Sequence, residues 1–457
     1  MESAIQTNTI NNKNMTQSSP TNIIYGNAGV VNTGNTCYMN SAIQAFSHLN
    51  PLTYYFFHNK DIIINILKNN ARKIFSKNKL FQIQGQSIIP IELRQKIQDP
   101  NYNANMLTNN DMVYVLNATM TFQLIKLLEQ MWRKNCVVMP TSFRKIFSEV
   151  RNKFFFGYEQ HDAEEAYSCI LQQVQEELAE VKIVKFNTTR PSVKEFLVFK
   201  NEIADKIAAT NDRAEQQKLM EIYLQKKKQM PEESLIIEAC KEMKKYYGTA
   251  YSRVTEIFTG FLHSSTNCDN PQCGFASNKF DPFLHLSLPM PTISQAFRMN
   301  RGLTINDCLD EYCKTEILDD NNLWECEGCK TKVRAIKKLQ LWSCPPILVI
   351  QFKRFGMMRT TKDNRLVSYP LTNFDVSSLV SPVQYDKTKC YTYRLLSVVN
   401  HYGGLHGGHY YTYCKDEDTG RWFNYNDDQV SEIKNSQVIT NTAYILFFLR
   451  EDMLSKP

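Results

Sequence analysis

The sequence predicts an α+β fold in which a helical half and a strand-rich half meet along a cleft. Three observations carry this. Apolar residues recur at helical spacing through roughly the first 180 positions; from about residue 250 they fall into short runs bounded by proline and glycine; and a charge-rich, helix-prone segment lies between.

In chain order, the polar stretch "MESAIQTNTINNKNMTQSSPTN" has no apolar core of a signal peptide and reads as a disordered tail over 1–24. Asn32–Gly34 then form a turn, and Cys37 opens a helical pattern in which Met39, Ala42, Ile43 and Phe46 share a face. Residues 60–150 are predicted mainly helical, and 159–181 form an amphipathic helix burying Ala163, Ala166, Ile170 and Val174. Residues 183–248 read as a solvated helical insertion. Strands follow in "FTGFLHSSTNC", "FLHLSLPMP", "PPILVIQFKRF", "YTYRLLSVVNHYGG", "HYYTYCK", "RWFNYND" and "TAYILFFLR".

The 457 residues suffice for a sizeable core, and 43% hydrophobic with 12% aromatic content excludes a disordered chain. A formal charge of +7 is far below the basic density of a dedicated nucleic-acid binder, so no nucleic-acid partner is expected. No apolar run approaches the roughly 18 residues of a membrane span, so no membrane partner is expected either. Thirteen cysteines without a secretory signal point to free thiols or metal ligands in a reducing compartment, cytoplasmic or nuclear.

One cysteine is placed for chemistry. A thiolate is favoured at a helix N-terminus, where unpaired N–H groups and the macrodipole stabilise negative charge. Cys37 sits at such a seam, and Asn32, five residues upstream, offers a side-chain amide to a developing oxyanion. The base is sought in "NHYGGLHGGHYYTYC", which holds His401, His406 and His409. His409 begins a strand-like run, and Asn426 lies seventeen residues further on, a separation that suits neighbouring antiparallel strands joined by "KDEDTG". By chemistry alone Asn426, Asp427 or Asp428 could orient the imidazole. The order Cys…His…Asn matches the papain-type arrangement.

A second constellation pairs Cys268 with Cys273 in "NCDNPQCG" and Cys326 with Cys329 in "WECEGCK". Two close pairs in polar turns suit a closed tetrahedral Cys₄ site for structural Zn²⁺, with no catalytic metal. Cys308 and Cys313, flanking "LDEY" on a helix, read as packing residues.

These motifs together resemble the ubiquitin-specific proteases, cysteine peptidases that remove ubiquitin from proteins. "NTGNTCYMNSAIQ" resembles the family's cysteine box, "EQHDAEEAY" its Gln-Gln-Asp-Ala-x-Glu-Phe element and "PPILVIQFKRF" its Leu-Lys-Arg-Phe strand. "GGLHGGHYYTYC" and "WFNYNDDQV" resemble its histidine box and terminal orienter. The matches run in family order from about residue 25 to 450. His161, Ala166 and Thr33 depart from the pattern, standing where Gln, an aromatic and Leu are usual.

The resemblance implies a papain-like cysteine peptidase with a helical thumb, a β-rich palm and zinc-ribbon fingers. It implies a catalytic domain over 25–451: thumb 25–182, charged insertion 183–248, fingers 250–340 and palm 341–451, with 452–457 as a tail. Cys37 is then the nucleophile, His409 the base, Asn426 the orienter and Asn32 the oxyanion donor, with Asp427 supporting the oxyanion site. Gln160 and Asp162 contact the basic C-terminal tail of ubiquitin, while Gly403, Gly404, Gly407 and Gly408 wall a slot for its Gly-Gly end. The implied activity is hydrolysis after ubiquitin's C-terminal glycine through a thioester. The implied partners are ubiquitin and ubiquitinated proteins, with an activating protein partner left open. Three other readings compete: a catalytically weak ubiquitin-binding scaffold, a peptidase for another ubiquitin-like modifier and, least favoured, a zinc-ribbon nucleic-acid binder.

Overall fold

A computed structural model describes residues 26–77, 82–83, 86–87, 89–133, 136–150, 154–185, 188, 190–299, 301–355, 362–404 and 407–454. The expected tail over 1–24, His406 and the last three residues lie outside these. Glu451–Leu454, which runs from the end of the expected palm into the expected C-terminal tail, forms a 3₁₀ turn with Met453 against the core.

Helix α1 (Cys37–Ser47) packs against both the helical half and the large sheet. Its apolar face was expected to be buried, but every residue is, including Asn40, Ser41, Gln44 and Ser47. A helix enclosed on all sides must satisfy its polar groups internally. Gln44 Nε2 donates to the Ala28 carbonyl at 2.8 Å, and Thr412 Oγ1 donates to the Ser41 carbonyl at 3.0 Å. Helix α2 (Thr141–Val150) and helix α3 (Ala163–Leu178) pack in the helical half, and α3 turns Ala163, Ala166, Ile170 and Val174 into the core as its periodicity requires.

The other half is an eight-stranded sheet: β1 (Leu286–Pro289), β2 (Ile347–Lys353), β3 (Phe374–Asp375), β4 (Thr392–Gly404), β5 (Gly407–Lys415), β6 (Trp422–Asn426), β7 (Gln429–Ile433) and β8 (Ala443–Arg450). The order is β7-β6-β5-β4-β8-β2-β1, with β3 against β4 and only the β2–β1 pair parallel along that path. The continuous apolar run of β8 reflects burial on both faces. Ile445, Phe447 and Leu449 meet the core around α1, whereas Leu446 and Phe448 meet a second core with Phe374 and Trp422.

A four-stranded antiparallel sheet projects the second cysteine constellation, with Ala276–Phe283, Gly260–Cys268, Ala335–Ser343 and Glu316–Leu318 as successive neighbours. The segment expected to be a solvated insertion folds as three helices, Pro191–Ala209, Arg213–Gln229 and Pro231–Ala250. The middle helix buries nothing, but Phe196, Ile236 and Tyr247 of the outer two share a core with Phe261, Phe280 and Trp342. The insertion is thus docked on the sheet. Among the described residues no helix is long and apolar enough to cross a membrane.

Candidate active site

Cys37 is the first residue of α1, as expected, and is 3% exposed. Burial raises its thiol pKa, opposed by the Tyr410, Tyr38 and Cys37 backbone N–H groups, while the Asp427 charge raises it further. The helix terminus therefore supplies the expected donors, yet burial outweighs them and favours the neutral thiol. Tyr410 is the residue after His409, so the first half of β5 reaches Cys37.

His409 is the third residue of β5, Asn426 closes β6, and the two strands pair antiparallel through Thr412 and Tyr425. Strand pairing brings His409 Nε2 to 2.5 Å from Asn426 Oδ1. An amide oxygen only accepts, so Nε2 carries the proton and Nδ1 keeps the lone pair needed by a base. Of the three orienters left open by chemistry, the structure puts Asn426 on the ring.

Asn32 is fixed from both ends of its amide. Oδ1 accepts from the Gly34 and Thr36 N–H groups at 3.1 and 3.0 Å and from Thr36 Oγ1 at 3.2 Å, while Nδ2 donates to Asp427 Oδ2 at 3.0 Å. The donors around Oδ1 and the carboxylate at Nδ2 settle which way the amide faces. A primary amide has two N–H bonds. Asp427 takes one of them.

Asp427 itself is held by Asn40, whose Nδ2 donates to Oδ1 at 2.7 Å, and its carbonyl accepts from Val30 N–H at 2.8 Å. These contacts secure a left-handed backbone at Asp427, φ 52°. Asn40 was not singled out in the sequence. The signal available was an amide three residues after Cys37 in an otherwise burying helix.

Gln160 reaches across to the β4–β5 hairpin. Its Nε2 donates to the Gly408 carbonyl and its Oε1 accepts from the Gly408 N–H, both at 3.1 Å. Gly408 is bare for a local reason: a Cβ there would lie 2.2 Å from His401 Nε2 and 2.9 Å from the Tyr402 carbonyl. Gly403 adopts φ 104° at the end of the hairpin, whereas Gly404 and Gly407 face open space. Asp162 is the N-cap of α3: its Oδ1 accepts from Glu164 N–H at 2.7 Å and its Oδ2 from Tyr444 O–H at 2.6 Å. His161 packs among Tyr38, Phe154 and Phe155, with centroids 5.0–5.2 Å away, and burial lowers its imidazole pKa.

The four cysteines converge at the end of the projecting sheet. Their sulfurs all lie within 4.8 Å of one another, with Cys268–Cys329 at 3.7 Å and Cys273–Cys326 at 3.6 Å. Such separations are far too long for S–S bonds of about 2 Å. They match the roughly 3.8 Å edge of a tetrahedron with metal–sulfur bonds of about 2.3 Å. The Cys329 N–H donates to Cys326 Sγ and Asn270 Nδ2 to Cys329 Sγ, an outer layer that favours ionised sulfur. The cluster could hold a structural metal. Cys308 is buried on the helix Ile305–Tyr312, as a packing residue should be.

Known proteins resemble this chain over nearly its whole length. The ubiquitin carboxyl-terminal hydrolase family model matches residues 28–448. The chain is 50% identical over 447 residues to the probable ubiquitin carboxyl-terminal hydrolase R319 of Acanthamoeba polyphaga mimivirus, covering 98% of this chain and 95% of that one. It is 29% identical over 427 residues to human ubiquitin carboxyl-terminal hydrolase 2, covering 93% of this chain but 55% of that relative. In fold it is similar to a chain of the SAGA Ubp8/Sgf11/Sus1/Sgf73 DUB module bound to ubiquitin aldehyde, with TM-score 0.57 and 20% identity over 95% of this chain and 72% of that one. With the family model spanning residues 28–448 and a relative 50% identical over nearly the whole chain, the chain belongs to the ubiquitin carboxyl-terminal hydrolase family, in its ubiquitin-specific protease type.

Proposed function

We propose that this enzyme hydrolyses the isopeptide or peptide bond after the C-terminal glycine of ubiquitin through Cys37, His409 and Asn426. The observation that carries the reading is the His409–Asn426 bond. It leaves Nδ1 as the base on a residue whose neighbour, Tyr410, faces the Cys37 thiol. His409 takes the thiol proton, and Cys37 Sγ bonds to the glycine carbonyl carbon. The carbonyl oxygen becomes an oxyanion, received by the free N–H of Asn32 and the backbone N–H at Cys37. Collapse expels the amine, which takes the proton from His409, and leaves a thioester; water, deprotonated by His409, then releases ubiquitin and restores the thiol.

Asn426 carries no charge, so it orients the ring without the electrostatic support an aspartate gives an imidazolium. Gln160 and Gly408 draw the two halves together beside the hairpin, and Gly404 and Gly407 leave space there for a tail without side chains. Asp162 lies beside Tyr410 and Tyr444, where its negative charge can meet a basic tail. The cysteine cluster takes Zn²⁺ as a structural ion: its four ligands leave no open position for catalysis. The cysteines outside that cluster stand as unpaired thiols, which suits a reducing cytoplasmic or nuclear setting.

The test is reaction with ubiquitin carrying a C-terminal electrophile. A covalent adduct formed by the wild type and absent in Cys37→Ala supports the assignment. No ubiquitin adduct, but one with another ubiquitin-like modifier, replaces the substrate and keeps the chemistry. Undiminished adduct formation in Cys37→Ala sinks the nucleophile.

A further inference from the structure

The turn that carries Asn32 is built from unfavourable backbone. Gly34 has φ 104° and Asn35 φ 51°, two successive left-handed residues separated from the helix of Cys37 only by its N-cap, Thr36. Glycine takes this region freely and asparagine tolerates it, but such a turn keeps one shape only when its surroundings over-determine it. Three contacts come from one direction. Asn35 Nδ2 donates to the Tyr158 carbonyl at 2.7 Å, and a Cβ on Gly34 would lie 2.5 Å from the Tyr158 ring. The Arg144 guanidinium, on α2, donates through one terminal nitrogen to the Thr33 carbonyl and through the other to the Gly157 carbonyl at 3.1 Å. It also lies 5.4 Å from the centre of the Tyr158 ring.

The Thr33 carbonyl belongs to the same peptide plane as the Gly34 N–H, which donates to Asn32 Oδ1. In a trans peptide these groups point in opposite directions. Arg144 therefore grips one side of the plane while the Asn32 side chain takes the other. We infer that Arg144 is a positioning residue for the oxyanion site, setting the amide of Asn32 through the Thr33–Gly34 peptide and joining that turn to the Gly157–Tyr158 segment. This rests on the reading of Asn32 as oxyanion donor. The planar two-pronged donor matters, since a lysine ammonium cannot reproduce the fixed fork between two carbonyls.

The experiment measures kcat and KM for release of a fluorogenic amide from the C-terminus of ubiquitin. Arg144→Met is expected to lower kcat roughly 10- to 100-fold, the scale of a misplaced catalytic group, with KM changed by less than about twofold. Arg144→Lys should fall between it and the wild type, and added guanidinium ion at non-denaturing concentration should restore part of the loss in Arg144→Met. In an Asn32→Ala background, Arg144→Met should cost little more, because the group it positions is gone. Should Arg144→Met not fold, the same comparisons are made with Arg144→Lys. Wild-type kcat in the Arg144 variants, or an undiminished loss in the Asn32→Ala background, overturns the inference while a slow Asn32→Ala enzyme leaves the oxyanion donor standing. Wild-type kcat in Asn32→Ala overturns both.

Discussion

Asn32 and Asp427 are 395 residues apart in the chain, yet Nδ2 of the first donates to Oδ2 of the second at 3.0 Å. The bond ties the turn before Cys37 to the end of the strand pair that carries His409 and Asn426. It also has an electrostatic side, since the Asp427 charge raises the pKa of the Cys37 thiol.

If that bond orients the oxyanion donor, Asp427→Ala should release the Asn32 amide. We expect kcat to fall by about 100-fold, the cost of losing one oxyanion donor, with ubiquitin affinity nearly unchanged. Steady-state kinetics with a parallel binding titration checks the split. A rise in KM alone would assign Asp427 to substrate binding instead.

Removal of the orienter should act through the base. Asn426→Ala is expected to lower kcat by roughly 100-fold or more, in the range of general-base losses, because the imidazole loses its fixed tautomer. Asn426→Asp should retain activity, since a carboxylate accepts the same Nε2 proton. Comparison of kcat across the three proteins decides it.

Burial raises the Cys37 pKa, and the Asp427 charge adds to it, so the thiol is mostly protonated at neutral pH. The reactive form is the thiolate, so alkylation of Cys37 by iodoacetamide in the free enzyme should accelerate as pH rises above neutrality. Asp427→Asn removes a negative charge and keeps an acceptor, so the alkaline limb should move to lower pH. A pH-independent rate through that range would show a thiolate already formed.

Gly408 should tolerate no side chain. Gly408→Ala places a methyl within 2.2 Å of His401 Nε2, displacing the hairpin strand that Gln160 clamps and His409 follows. A loss of roughly 100-fold in kcat/KM is expected from misplacement of the base. Partial recovery in Gly408→Ala with His401→Ala would confirm His401 as the obstacle; no recovery points to the Tyr402 carbonyl.

The metal reading predicts about one zinc per chain by elemental analysis, from the four-thiolate set. Cys326→Ser or a strong chelator should lower the melting temperature and loosen the projecting sheet, because a structural metal contributes directly to folding. Folded, metal-free protein with unchanged melting would refute it.

The sequence by itself determined the order of helices and strands, since hydrophobic periodicity is local: α1 begins at Cys37, and β4, β5, β6 and β8 fall where the apolar runs lie. Cys37, His409, Asn426 and the four clustered cysteines were also legible, each marked by residue type and spacing. Tertiary structure decided the rest. The Asn32–Asp427 bond, the support from Asn40 and the Gln160–Gly408 clamp join side chains distant in sequence, and no periodicity encodes them. The raised pKa of Cys37 depends on how far the assembled halves exclude water, which a helix-terminus pattern cannot express. The insertion read as solvated because its charges are visible along the chain, whereas the Phe261, Phe280 and Trp342 surface that covers Phe196 and Tyr247 is supplied from elsewhere in the fold.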